Sequence, residues 1–331
     1  MVTQEQIAKK LGVSRQLVTF ALGGYPQVAE ESRKKILAAA QEMGYRPNPH
    51  ARALKRGRTG IVALWVPDQI SSYYNHVARE MNRLVKRSHC ELIVSEVAST
   101  EAEEVLSHVP VDGIFAVDAP TQAIAYSRSS QMRTVPLFNL GAESCGNTDG
   151  VLVDLAAGTR EVMQHLFGNG FRRIAHMTYV RDDRPNEARR MEYAKAMTDA
   201  GLTPEFIYYP LSEQQRPITR QLIQDYIRDH GCPEAIFCHS DDAAIGVYRG
   251  LCDLKLKVPE QVALVGCDGI PDTEYLECPL TTLVQPVVAM CASAWQFFQQ
   301  RQEQPSSKRQ AVILKPKLEI RDSSRRKIQT V

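Results

Sequence analysis

From Gly60 onward the chain alternates short, continuously apolar runs with longer helical patterns, and this alternation constrains the fold more than any other feature. A strand apolar at every position must be covered on both faces, as in a parallel sheet layered between helices. Candidate strands fall at 61–66, 91–97, 113–117, 135–138 and 151–153. A second series follows at 173–177, 206–209, 235–238, 262–266 and 282–284, with helical stretches such as 158–166 and 243–254 between strands. Two such series predict two lobes. Ligands of open parallel sheets sit outside the carboxyl ends of the strands, which makes the cleft between the lobes the expected pocket.

The first sixty residues follow a different rule. Ile7, Ala8 and Leu11 share a helix face that Gly12 ends; Ser14 is a good N-cap for a second helix with Leu17, Val18, Ala21 and Leu22 on one stripe. A third pattern from Glu30 to Met43 packs Ile36, Leu37, Ala40 and Met43. Helix, tight turn and helix suit entry of the second helix into a major groove, its first turn facing base edges. Ser14, Arg15 and Gln16 occupy that turn. Arg pairs with guanine and Gln with adenine, while a Ser hydroxyl and helix N-terminal amides hold phosphates. Thr19, one turn on, is a further phosphate contact, and Phe20 reads best as a packing residue.

Charge supports a polyanionic partner. Residues 1–60 hold eleven Lys and Arg against four acids, a net of +7, leaving 29 against 34, a net of −5, for the rest. A basic head gains sequence-independent affinity for DNA through counterion release. After Pro47 and Pro49, a short basic segment contains Arg52, Leu54 and Lys55. By its residues alone it reads first as a linker; too short to be a stable helix alone, it can also order when two copies pair over DNA and drive Leu54 into the minor groove as an apolar wedge.

Other function classes find little support. No phosphate-binding loop, dinucleotide fingerprint, serine elbow or H-E-x-x-H appears, so nothing supplies a nucleophile or a phosphate cradle. Eight cysteines lie scattered without a C-x-x-C pair or zinc spacing, which predicts reduced thiols, no metal and no cofactor. Cys238 reads as a buried structural thiol ahead of a nucleophile with His239 as its base, because adjacent residues on a strand face apart. Without an apolar spanning run or signal segment, the expected location is the cytoplasm, in association with the nucleoid.

The runs Q-E-Q-I-A-K-K-L-G-V-S-R-Q-L-V-T-F-A-L, V-A-E-E-S-R-K-K-I and G-Y-R-P-N-P-H-A-R-A-L resemble the headpiece and hinge of the lactose/galactose repressor family. V-D-G-I-F, L-F-G-N-G-F-R-R-I, F-C-H-S-D-D-A-A-I-G and V-P-E-Q-V-A-L-V-G-C-D extend the resemblance over nearly the whole chain. Leu17, Phe20 and Ala29 depart from the usual residues. The resemblance implies an all-α helix-turn-helix headpiece (1–46), a hinge helix or linker (47–59) and an α/β two-lobed core like that of periplasmic binding proteins (60–331). Its N-lobe spans 60–155 and 286–304, and its C-lobe 156–285 and 305–325. By the same resemblance Arg15 and Gln16 read bases, Ser14 and Thr19 hold phosphates, and Leu54 is the wedge.

Strand-end polar residues are candidates for effector contacts, among them Asp68 at the mouth of the first strand. The resemblance adds Asp268 for ligand hydroxyls or amines, Arg189 for the effector, Tyr73 and Tyr74 for stacking, and Ser240. Arg189 offers a fork suited to carboxylate, phosphate or vicinal hydroxyls. Asp241 reads as a helix cap and Tyr74 as a possible core residue. The expectation is therefore a homodimeric regulator, ordinarily a repressor, reading a pseudo-palindromic operator under control of a sugar or related metabolite. The rival readings are a solute receptor, which has no use for a basic headpiece, and an α/β enzyme.

Overall fold

Thr3 opens the first helix through a reciprocal pair of bonds: its hydroxyl accepts from the Gln6 amide at 3.3 Å, and Gln6 Oε1 accepts from the Thr3 amide at 2.8 Å. The computed structural model describes residues 2–45, 58–97, 110–128, 135–179, 187–210 and 214–325. It divides into two units, Met1–Thr59 and Gly60–Val331. In the first, α1 (Gln4–Leu11) ends at Gly12, whose φ of +65° few other residues adopt without strain. Ser14 then caps α2 (Arg15–Leu22) by accepting from the Leu17 amide at 3.1 Å, and α3 (Glu30–Glu42) completes the unit. Ile7, Ala8, Val18, Ala21, Val28, Ile36, Ala39 and Ala40 close one small core. Leu37 does not join it: one residue from Ile36 turns it about 100° around the helix, and it stands 45% exposed. Ala29 precedes α3 without a side-chain cap.

The second unit holds two six-stranded sheets. The first lobe is built from β1 (Ile61–Val66), α4 (Ser72–Arg87), β2 (Glu91–Glu96), β3 (Ile114–Val117), α5 (Pro120–Arg128), β4 (Leu137–Gly141) and β5 (Asp149–Val153). The second comprises α6 (Leu155–Gly168), β6 (Ile174–Thr178), α7 (Ala188–Asp199), β7 (Glu205–Tyr208), α8 (Gln215–His230), β8 (Ala235–Cys238), α9 (Asp241–Asp253), β9 (Ala263–Asp268) and β10 (Thr281–Val284). The chain then gives α10 (Val287–Glu303), β11 (Ala311–Leu314) and β12 (Lys317–Glu319). Sheet orders are β11-β5-β4-β3-β1-β2 and β12-β10-β9-β8-β6-β7, parallel throughout except β12 on β10.

Helices cover these sheets by their apolar stripes. On α4, Tyr73, Val77, Met81 and Val85 recur every fourth residue and are buried, each worth roughly 1.5–3 kcal/mol on transfer from water. Helix α10 packs on α4, β4 and β5, so the chain returns to the first lobe after β10. The third crossing comes later than the sequence suggested. Residues 305–325 were expected in the C-lobe, yet Ala311–Leu314 pairs parallel with Gly150–Val153, leaving only the stretch from β12 onward in the second sheet. The reason is local: an apolar four-residue run with free backbone groups completes the exposed edge of β5 before the chain crosses.

Candidate functional site

In each lobe the strand order reverses between the first strand and its two neighbours: β2-β1-β3 in one, β7-β6-β8 in the other. Such switch points open a crevice at the carboxyl ends of the strands. Residues just beyond those ends face one another here. Asp68 and Asp118 follow β1 and β3, Tyr179 and His239 follow β6 and β8, Asp268 ends β9, and Gln285 follows β10. All six line one pocket, partly open to solvent, together with Tyr73, Tyr74, Arg189, Tyr209, Gln215 and Ser240. The sequence-predicted Asp68, Tyr73, Tyr74, Arg189, Ser240 and Asp268 thus share one wall system drawn from both lobes.

Arg189 lies at the base of α7, 7% exposed, with its fork occupied by protein. Nε donates to Glu187 Oε1 at 2.8 Å, Nη1 to the His239 carbonyl at 2.9 Å, and Nη2 meets His239 Nε2 at 2.7 Å. Burial pushes the Glu187 carboxyl up, but the Arg189 guanidinium, His239 and the Arg190 amide outweigh it and hold the carboxyl far below the usual range. Burial likewise opposes charge on Arg189, and Glu187 more than restores it. The two form a buried ion pair whose geometry is complete without a third group.

Asp268 takes a backbone that favours glycine, φ +125°, followed by Gly269 at φ +76°. Such a conformation costs on the order of 1–3 kcal/mol and persists only where surroundings impose it. Asp241 imposes it: one carboxylate oxygen accepts from the amides of Gly269 at 2.7 Å and Ile270 at 2.9 Å, the other from the Thr282 hydroxyl at 2.7 Å. Asp241 is therefore no helix cap; Ser240 caps α9, accepting from the Ala243 amide at 3.1 Å while donating to Gln215 Oε1 at 3.2 Å. Gly266 makes the arrangement possible, since a Cβ there would lie 2.1 Å from Asp241 Oδ1. Burial and then the neighbouring Asp241 push the Asp268 carboxyl well above its usual range. Burial raises Asp241 itself to about 6, against the pull of its three donors.

The tyrosines divide. Tyr73 is the core residue, 4% exposed, its hydroxyl donating to Gln285 Oε1 at 3.2 Å, and Gln285 Nε2 passes the connection to Asp268 Oδ1 at 2.9 Å. Tyr74 stays half-buried, tilted against Tyr73 at 5.3 Å between ring centroids. Sequence reasoning missed Asp118, Tyr179, Tyr209, Gln215, His239, Gln285 and the positioning Glu187. For Asp118 the signal was present, since it stands after β3 as Asp68 stands after β1.

The lobes also touch at the pocket rim. Ser71 caps α4 with no side-chain bond. Instead Asp242 of α9 accepts from the Ser72 amide and hydroxyl, both at 3.0 Å. Arg216 donates to Asp242 at 2.8 Å, to the Ser72 hydroxyl at 3.1 Å and to Asp272 at 3.0 Å. An acid from one lobe thereby serves as the helix cap of the other.

In the headpiece, Arg15 and Gln16 are exposed on the first turn of α2 beside the cap Ser14. Arg15 lies 4.0 Å from Glu5. Thr19 donates to Gln4 Oε1 at 2.8 Å and to the Arg15 carbonyl at 3.0 Å, while Phe20 packs against Tyr25. The remaining DNA-contact candidates, Arg52, Leu54 and Lys55, lie outside the described residues.

Three helices presenting exposed Arg and Gln, on the same chain as a two-lobed α/β binder, define a DNA-binding transcription regulator that answers to a small molecule. Residues 3–48 match the model for bacterial regulatory proteins of the lacI family, and residues 163–324 match a periplasmic binding protein-like domain. The chain thus carries a lacI-family DNA-binding domain followed by a periplasmic binding protein-like domain. It is 27% identical to the ribose operon repressor of Escherichia coli K12 over 98% of this chain and 100% of that one. Its fold matches a lac repressor dimer solved with operator and the anti-inducer ONPF, with a TM-score of 0.82 and 21% identity over 98% of this chain and 99% of that one. It also matches a ribose-bound lacI-family regulator from Enterococcus faecium, with a TM-score of 0.72 and 22% identity over 80% of this chain and 98% of that one.

Proposed function

We propose that the chain is a homodimeric repressor whose two headpieces read a pseudo-palindromic operator, and that a sugar or related metabolite bound between the lobes sets its grip. The observation that carries this is the pocket itself, where Asp68 and Tyr74 from one lobe meet Arg189, Ser240 and Asp268 from the other. A ligand touching both walls binds the closed arrangement better than the open one, and that difference is what shifts a two-state equilibrium. Ser14, Arg15, Gln16 and Thr19 carry operator contact in this reading, with Arg52, Leu54 and Lys55 in the hinge. The ribose held by the Enterococcus faecium relative supports a sugar-class effector. DNA binding places the protein in the cytoplasm with the chromosome, and the chain performs no catalysis of its own. Among the described residues no helix is long and apolar enough to cross a membrane.

The test selects duplexes from a random library with the full chain, then repeats the selection with pooled sugars. The expected result is an enriched pseudo-palindrome whose recovery changes when sugars are present. Enrichment of no sequence at low ionic strength contradicts the reading.

A further inference from the structure

Tyr209 follows β7, the outer strand of the second sheet, and the pleat of that strand sets where its ring goes. Ile207 and Tyr209 are buried, while Tyr208 between them points outward. The Tyr209 amide donates to the Thr178 carbonyl at 2.9 Å, so the end of β6 holds it in register. Its ring lies edge-on to that of Tyr179, with 5.8 Å between centroids, and both residues line the cleft. With backbone and ring both held, the hydroxyl has little freedom to move.

Tyr209 is 3% exposed, and its hydroxyl forms no hydrogen bond of normal geometry. Ser240 lies beside it, but the Ser240 hydrogen goes to Gln215 Oε1 at 3.2 Å, and one of its lone pairs takes the Ala243 amide at 3.1 Å. All that Ser240 can still offer is its second lone pair. Even a proton given to that lone pair leaves Tyr209 Oη with nothing donating to it. A buried polar atom left unmet is costly, so it marks a place where a ligand supplies the partner. The bond from Ser240 also orients Gln215, whose amide nitrogen forms no hydrogen bond among the described residues and which lines the same cleft.

We infer that Tyr209 is a specificity-determining residue of the cleft: its hydroxyl, together with the Gln215 amide, takes one hydroxyl group of a polyhydroxylated effector. Both protein groups flank Ser240, so a single ligand oxygen can meet the two. That oxygen donates to Tyr209 Oη and accepts from Gln215 Nε2. An ether or carbonyl oxygen only accepts and an ammonium only donates, whereas a hydroxyl does both. A site built to pair a hydroxyl discriminates against the analogue lacking it, because the protein groups are then left stranded. This rests on the cleft being the effector site.

The experiment offers the full chain a panel of aldopentoses and aldohexoses, each with its singly deoxygenated analogues. Thermal shift at up to about 10 mM finds the skeletons that bind, and calorimetric titration measures each analogue against its parent. In the wild type one deoxygenation is expected to stand out, weakening binding by about tenfold or more because it strands both partners. Tyr209→Phe should weaken the parent sugar by about tenfold and shrink the penalty for that one deoxygenation to about twofold, with penalties at other positions as before. The ligand-free variant should melt no lower than the wild type, since Phe removes a buried hydroxyl that lacks a donor. Should Tyr209→Phe not fold, Gln215→Leu removes the second partner and should shrink the penalty at the same position. Uniform weakening of every sugar, or penalties unchanged at every position, overturns the inference while leaving the effector site standing. No shift with any sugar removes the sugar-class reading, and the role of Tyr209 falls with it.

Discussion

Asp241 and Asp268 show how one side chain can hold a site in shape. A buried carboxylate accepting three bonds fixes the backbone at Gly269 and Ile270, and this presents Asp268 to the pocket. Because burial raises Asp241 from 3.8 to about 6, the folded protein binds more protons than the unfolded chain in that interval, and stability falls as pH rises through it. Asp241→Asn should flatten the slope, so that the wild type loses on the order of 2 kcal/mol relative to the variant between pH 4 and pH 6. Parallel melting curves over that range would count against the assignment. Asp268→Ala should abolish effector response and keep operator binding, read by fluorescence anisotropy; a variant that responds normally removes Asp268 from the pocket. In the headpiece, Gln16→Ala should relax preference at one or two base pairs by about 1–3 kcal/mol. Uniform weakening across all sequences would make Gln16 a phosphate contact.

At the scale of elements, the rim contact couples the lobes through a single helix start. Asp242 caps α4 from across the cleft, and Arg216, 41% exposed at its side chain, holds it there. Solvent screens such a contact, and its removal should cost about 1 kcal/mol. Asp242→Ala is therefore expected to broaden the distribution of lobe openings in small-angle scattering and to weaken effector binding severalfold. Identical scattering and affinity would show the contact to be passive.

Elements buried on both faces were legible because continuous apolar runs such as Ile61–Val66 and Ala235–Cys238 have few other ways to fold. Strand β11 was not, since only four residues at a sheet edge give no period to count. The rim contact was equally hidden: Ser72 and Asp242 stand 170 residues apart, and neither is unusual in its own segment. Strand-end acids were visible as candidates, whereas the pairing that occupies Arg189 required the fold.

Over the whole molecule, the net positive charge and the exposed Arg15 and Gln16 sit in one unit, and the strand ends that meet in a pocket sit in the other. Regulation needs both on one chain, because an effector alters operator affinity only through a difference in its contacts with the two lobe arrangements. The central claim is that occupancy of the cleft changes the grip on DNA. Its most direct test is operator affinity of the full chain, by fluorescence anisotropy at fixed ionic strength, with and without a sugar that raises the melting temperature. The account predicts a change of about 5- to 150-fold. The same affinity in both conditions, with the sugar demonstrably bound, would contradict it.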